Sequence, residues 1–468
     1  MLGSTLWLTL ATLTGLAAGF AREWLLVAAW GAGAQSDAFL VSMFLPEALR
    51  MALAAGLLSA AALPLYQQRD LRAQQRWLTA LAPRLLICGL ALALLLSVGA
   101  PLWVRGVGPG LDSDGYALAG SSLHWLAWCA PGFLLHGLLC VPLLAHSRFV
   151  MAGLGSLLFN LPPVLYLAIA SHGATPEGLA LACVLGSVLM PAALLPSLLR
   201  LGWKPWQWQT EPGAGRELLQ RIGPLLSSNL ASQGLALLER MVASLLGEGA
   251  VTWINLARKL INLPLIALMS LNQVLLGLMS GSAVDQRLGL LRKGLSSATL
   301  LTLPAIAGLI GASSTLVVLL LPSLAHDGPL PELLAWFAVP LMFGAWNALL
   351  ARYAYAAGDT RMPLNCELTG SLCNAILLGV LPFFLGLIGI AIAALVGAIV
   401  TGLLLMRRQG LLKFVPWRSQ WALGATVMLM AALVLHPIGN IWLQLGLSCA
   451  YGAVLLAGLA LWLKPWKV

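Results

Sequence analysis

With 468 residues, of which 60% are hydrophobic and 9% charged, the chain cannot cover itself like a soluble protein, which carries about 25% charged residues. Its apolar residues come in blocks of about twenty or more, enough to cross a bilayer and without the alternation of barrel strands, so a soluble fold and a β-barrel are both excluded. The formal charge of +10 falls largely between these blocks, which points to membrane orientation and not to nucleic acid.

The first block has no basic leader and runs into Arg22-Glu23 with no cleavage site, so it reads as a retained first span. In chain order the spans are expected at 5–30, 37–64, 77–104, 121–145, 150–171, 177–199, 221–246, 250–280, 294–321, 331–356, 362–384, 386–406, 420–437 and 441–463. Loops after even-numbered spans hold the cations, among them Arg69, Arg72, Arg200, Lys204, Arg287, Arg292, Arg407 and Arg408. Loops after odd-numbered spans hold acids instead, such as Asp112, Asp114, Glu177, Glu248 and Asp327, with Arg105 the main exception. The positive-inside rule then places both termini and the even-numbered loops in the cytoplasm.

All loops are short, the longest outer one being about 105–120. The inner stretch 201–220 carries Trp203, Trp206 and Trp208, read as interfacial anchors, and joins two halves. The architecture is therefore all-α and polytopic, with about fourteen transmembrane helices. An N-lobe of six helices spans 1–200 and a C-lobe of six spans 221–408, followed by two C-terminal helices within 409–468.

A parallel repeat links the lobes. Spans 1–2 and 7–8 each carry an Arg beside a Glu, then a glycine-rich outer turn, then an apolar helix with a proline. The turns align at Gly33-Ala34 and Gly249-Ala250, and the prolines are Pro46 and Pro264. Chance similarity between Ala/Leu/Gly-rich helices is the competing explanation. The seven cysteines have no CxxC spacing and read as small buried hydrophobes, with no metal site implied.

Charges inside the spans are the functional signal. Arg22 and Glu23 lie in span 1, Glu47 and Arg50 in span 2, Glu239 and Arg240 in span 7, and Arg258 and Lys259 in span 8. Arg352 lies in span 10 and Glu367 in span 11; Arg84 and Arg352 are close enough to an inner end to snorkel. An ionised group at the bilayer centre costs at least about 2.5 kcal/mol, so these groups face partners or a cavity. One reading is ion pairing, for which Glu47 and Arg50 have helical i,i+3 spacing. The other is a cavity whose surplus cations bind a phosphate-bearing anion, since guanidinium matches phosphate bidentately.

The stretch GFAREWLLVAAWGAGAQSDAFLVSMFLPEALR, Gly19 to Arg50, resembles the opening of the MviN/MurJ family of lipid II flippases, with its GFxRD, GAG, DAF and LPNLLR elements. The stretch LLGEGAVTWINLARKLINLPL, Leu245 to Leu265, is similar to that family's turn between spans 7 and 8. The resemblance implies the fold of the multidrug/oligosaccharidyl-lipid/polysaccharide exporters, in the bacterial inner membrane. It implies a substrate of undecaprenyl-pyrophosphate carrying a saccharide, with no enzymatic chemistry. Arg22, Arg50, Arg258, Lys259 and Arg240 would hold the pyrophosphate, supported by Glu23, Asp37, Glu47 and Glu239.

The chain also departs from that pattern. Leu16, Met51 and Ala55 stand where the family carries charges, and Arg258 replaces an Asp. On that ground an exopolysaccharide precursor is the preferred cargo and lipid II the alternative. A membrane glycosyltransferase or polymerase would need acidic catalytic residues, and the outer pair Asp112 and Asp114 reads as a turn. A cation-coupled drug exporter would favour acids over cations in its cavity. No cofactor is expected; a coupling ion or the membrane potential would supply the energy.

Overall fold

The computed structural model describes residues 2–146, 148, 151, 153–206, 211–261, 279, 284–322, 328–359, 361–414, 417–435 and 440–463. It is an all-helical membrane protein whose described helices follow the fourteen expected spans. Among the described residues, seven helices are by themselves long and apolar enough to cross a membrane. The chain separates into two compact units, Met1–Thr252 and Trp253–Val468.

In the first unit, span 1 is one helix, Leu2–Trp30, unbroken through Arg22-Glu23. Span 2 starts at Ala34, is α-helical to Leu49, opens into a π-helical stretch at Arg50–Leu57, and returns to α-helix at Leu58–Gln67. Such widened turns shift the register of every following side chain and are common at functional sites. Span 3 runs Leu71–Val98 and, after Gly99, Ala100–Val107, and Asp70 caps its start by accepting a hydrogen bond from Ala73 N at 2.7 Å. Span 4 combines Ser113–Leu126 and Ala130–Ala145; span 5 is Gly155–Ala170; span 6 is Pro176–Ala192 with Leu195–Arg200; span 7 is Ala214–Leu245.

Several sequence expectations change here. The outer connection expected at 105–120 shrinks to 108–112, because helices continue from both sides. Asp112 is the cap of span 4 and accepts from Gly115 N at 2.8 Å, which accounts for half of the outer acid pair. The inner linker is also shorter, since span 7 already starts at Ala214. Trp203 is not an interfacial anchor: it is buried, and its indole N–H donates to Thr79 Oγ1 at 3.1 Å. Trp206 is exposed, and Trp208 lies outside the described residues. Nor is Arg84 simply snorkelling, because it donates to the Glu211 carbonyl at 3.1 Å. Cys88 and Cys449 are exposed and not buried, as apolar thiols on lipid-facing helices can be.

The second unit takes span 8 from Trp253, helical to 261, then Val284–Gly311 with Ser313–Leu320, and Leu330–Ala338 with Pro340–Ala356. Spans 11 to 14 are Arg361–Leu378, Leu387–Arg408, Trp417–Leu435 and Ile441–Leu463. Within this unit, spans 11 and 12 pack through glycines. A Cβ at Gly370 would overlap Thr401 Oγ1, and one at Gly397 would lie 2.7 Å from Asn374 Cβ. Small residues permit such close backbone approach where no hydrophobic force drives helices together. Pro264, the second proline of the repeat, lies outside the described residues.

Candidate functional site

The first unit assembles its in-membrane charges through small residues. Gly15 and Gly19 lie one turn apart on span 1 and face span 5; a Cβ on Gly15 would come within 2.8 Å of Ser156 Cβ, and one on Gly19 within 3.5 Å of Asn160 Nδ2. Arg22 follows on the same face. It is 2% exposed, and its guanidinium pairs with Glu23 at 2.6 Å and donates to Asn160 Oδ1 at 3.1 Å. Asn160 is itself oriented, because its amide donates back to the Ser156 carbonyl at 2.8 Å.

Glu47 bridges two cations. Its Oε1 lies 3.6 Å from Arg22 Nη2 and 3.6 Å from Arg50 Nη2. Both guanidinium carbons also lie over the Phe159 ring, at 5.9 Å for Arg22 and 5.2 Å for Arg50. Such cation–π contacts strengthen when desolvated. Phe159 is held by Phe133, edge-on at 5.3 Å, and by the close approach of Gly186 to its carbonyl. Arg50 is the less satisfied cation: among the described residues its buried Nε has no hydrogen-bond partner.

Arg240, from span 7, donates to the Leu40 carbonyl at 2.6 Å and sits over Phe44 at 5.0 Å. Glu47, Glu23, Glu239 and Asp37 are within its electrostatic reach. Within this unit, then, three cations meet Glu23, Glu47 and Glu239. The surplus read from the whole chain comes from elsewhere, including Arg258 and Lys259. Those two belong to the second unit, where both are partly buried and Arg258 lies over Phe337 at 4.5 Å.

Asp37 has a different place from the other acids. Two turns share one pattern, Gly31-Ala32-Gly33-Ala34 and Gly247-Glu248-Gly249-Ala250, and each opens a helix at its final alanine. Gly31 and Gly247 both take left-handed backbone, with φ of +75° and +115°. The acids of one turn and helix cap the other. Asp37 Oδ1 accepts from Thr252 N at 2.8 Å and from Thr252 Oγ1 at 2.5 Å, while Glu248 Oε1 accepts from Ala34 N at 3.0 Å. Each carboxylate therefore sits at the positive end of a helix dipole.

Asn160 and Phe159 were not singled out by sequence reasoning. An Asn amid FNLPP in an apolar span was a usable signal for the first; nothing local marks the second.

Comparisons with known proteins agree with this architecture. A family model described as lipid II flippase MurJ matches residues 26–456. The lipid II flippase MurJ of Burkholderia cenocepacia is 27% identical over 457 residues, covering 91% of this chain and 86% of the relative. The probable lipid II flippase MurJ of Thermotoga maritima is 26% identical, covering 84% and 82%. Among solved structures, lipid II flippase MurJ in an inward closed conformation superposes with a TM-score of 0.84 at 19% identity, over 98% of this chain and 99% of that one. An inward-facing multidrug transporter of the MATE family gives 0.68 at 18% identity, over 86% and 96%. At such identities the structural likeness speaks for the fold, and the family model, matched over most of the chain, speaks for kinship: the chain belongs to the MurJ family of multi-pass membrane transporters.

Proposed function

We propose that the protein is a lipid II flippase, carrying the pyrophosphate-linked saccharide of a polyprenyl lipid across the membrane by alternating access. The observation that carries the reading is the Arg22–Glu47–Arg50 bridge. Glu47 lies 3.6 Å from each guanidinium, whereas Glu23 holds Arg22 at 2.6 Å. A loosely shared carboxylate between two arginines is a place that a diphosphate can take, with bidentate contacts that the carboxylate does not make. Arg50, with its unpartnered Nε, is the principal ligand in this mechanism, and Arg22 is its neighbour held in position. Arg240 would hold span 2 to span 7.

The cargo is lipid II in preference to an exopolysaccharide precursor. The replacements at Leu16, Met51 and Ala55 suggest the latter, but the family model and the relatives cited above carry the lipid II name. Leu16 and Met51 are also exposed, and at Met51 the uncharged thioether lies 3.9 Å from Arg50 Nη2, so the loss of charge there leaves the cation in place. Both termini are proposed to face the cytoplasm, and a coupling ion or the membrane potential to drive the cycle.

Two experiments test this. Expression in cells depleted of their own lipid II flippase is expected to restore growth, and reconstituted protein is expected to move lipid II between leaflets. Failure in both, with movement of an exopolysaccharide precursor instead, would reverse the cargo assignment. A periplasm-active reporter is expected to work after Gly33 and to be silent after Gln74 or Val468; activity at Val468 would overturn the orientation.

A further inference from the structure

A second polar feature lies in the other unit, and transport as described makes no use of it. Spans 11 and 12 touch closely at Gly370 and Gly397, and toward the Arg361 and Arg408 ends they line a cavity of about 410 Å3. Both arginines are exposed, and among the described residues neither guanidinium is in an ion pair. Asp359 also lines the cavity, but its Oδ1 is engaged in capping span 11, accepting from Arg361 N at 3.1 Å and Met362 N at 3.0 Å.

Deeper in the cleft the lining changes in a definite order. Asn365 and Thr369 lie four and eight residues beyond Arg361, which is about 6 and 12 Å along the helix axis. Both side chains are exposed although they sit inside a membrane helix; the Asn365 amide offers a hydrogen-bond donor, while the Thr369 hydroxyl donates to the Asn365 carbonyl at 2.8 Å. Leu404 adds an apolar wall, and the neighbouring Leu403 and Leu368 are exposed apolar side chains. Leu404 is four residues from Arg408, as Asn365 is from Arg361, so from the helix ends inward the cleft presents fixed positive charge and then a neutral donor beside apolar surface. A glycerophospholipid has that order: the phosphodiester, then ester carbonyls from which the acyl chains start. A free phosphate would use only the mouth.

We propose that this cleft binds one anionic phospholipid, with Arg361 and Arg408 on the phosphodiester and Asn365 on the ester region. Basic pockets between membrane helices are suited to acidic headgroups, and each cation near the surface contributes about 1 kcal/mol. A zwitterionic lipid offers the same phosphate but adds a cation, which two guanidiniums against one engaged carboxylate disfavour. In the proposed orientation the lipid belongs to the cytoplasmic leaflet. The site does not depend on which saccharide is carried.

The test uses the purified full-length chain in non-ionic detergent and native mass spectrometry, titrated separately with dioleoyl phosphatidylglycerol, dioleoyl phosphatidylcholine and inorganic phosphate. Retention of phosphatidylglycerol at about tenfold lower concentration than phosphatidylcholine is expected. The double variant Arg361→Gln/Arg408→Gln is expected to lose that preference, and Arg407→Gln, outside the cleft lining, to keep it. Equal retention of the two lipids by the wild-type chain would overturn the proposal. So would a preference that survives the double substitution. Inorganic phosphate displacing phosphatidylglycerol at equal concentration would show a free-anion site and overturn the lipid assignment. The wild-type comparison needs no variant, so it decides the matter even if the double variant does not fold.

Discussion

Arg22 and Arg50 are the same residue type, lie over the same Phe159 ring and share Glu47, yet their surroundings differ. Arg22 is saturated by a short pair with Glu23 and a hydrogen bond to a pre-oriented Asn160. Arg50 stands where span 2 leaves α-helical geometry, and its Nε is buried without a partner among the described residues. A charge inside the membrane is thus not one kind of feature. One arginine is part of the scaffold that fixes spans 1 and 5 together, and the other is held in place with capacity to spare.

The comparison breaks most visibly at Arg22. Removing one member of a buried pair leaves an uncompensated charge, which costs about 3–5 kcal/mol. Arg22→Ala is expected to lower both the melting temperature in detergent and the amount of protein in the membrane. The double variant Arg22→Met/Glu23→Gln removes both charges at similar volume and is expected to recover a large part of the loss. A single variant as stable as the wild type would place Arg22 with the ligand groups, not the scaffold.

At Arg50 the expectation is reversed. Arg50→Ala takes away a group that is incompletely bonded, so stability is expected to fall by about 1 kcal/mol or less while lipid II movement is lost. Arg50→Lys keeps the charge without the planar fork and is expected to be partly active at best. Glu47→Gln is not expected to rescue Arg50→Ala, because the missing function is the cation itself. A melting temperature that drops as far as for Arg22→Ala would erase the distinction between the two arginines.

How much of this was legible in the sequence follows the same division. Helix positions were mostly readable to within several residues, because twenty-residue apolar blocks and the loop cations are local properties; span 9, expected from 294, starts at Val284 because the polar run with Arg287, Arg292 and Lys293 is helical too. Arg22, Glu23, Glu47 and Arg50 were visible as charges inside those blocks. Their unequal roles were not, since these depend on Asn160 and Phe159, more than a hundred residues away, brought in by Gly15, Gly19 and Gly186. The π-helical stretch after Leu49 has no clear local signature in an Ala/Leu-rich run. Asp37 was placed with the phosphate-site acids. The structure instead shows it bonded to Thr252, at a helix start that only the folded unit brings near.

The two turns supply the next test. Asp37 is buried and accepts two hydrogen bonds from Thr252. Asp37→Ala strands the Thr252 N–H, while the hydroxyl keeps Ser36 Oγ at 3.0 Å as an acceptor, and is expected to cost about 1–3 kcal/mol, read as a lower melting temperature. If these caps hold the outer ends of spans 2 and 8 together through part of the cycle, the variant also exposes this surface. A cysteine introduced at Ser36 would then be labelled faster by a membrane-impermeant maleimide than in the parent. Unchanged labelling together with normal stability would remove the cap from any role in the cycle.

The smallest effect is expected at the partner cap. Glu248 does for Ala34 what Asp37 does for Thr252, but it is exposed and accepts a single backbone hydrogen bond, at 3.0 Å, in the one contact resolved for it. Water replaces much of that bond when the carboxylate is removed. Glu248→Ala is therefore expected to cost about 0.5 kcal/mol, at the low end for a lost helix cap. Its contribution also includes charge at the helix dipole, which salt screens at an exposed site and hardly at a buried one. Raising the ionic strength is accordingly expected to shrink the difference between Glu248→Ala and the wild type while leaving the Asp37→Ala difference nearly unchanged. Equal salt dependence at the two positions would mean that the turns are alike in energy as well as in sequence, and that burial of Asp37 adds nothing to its cap.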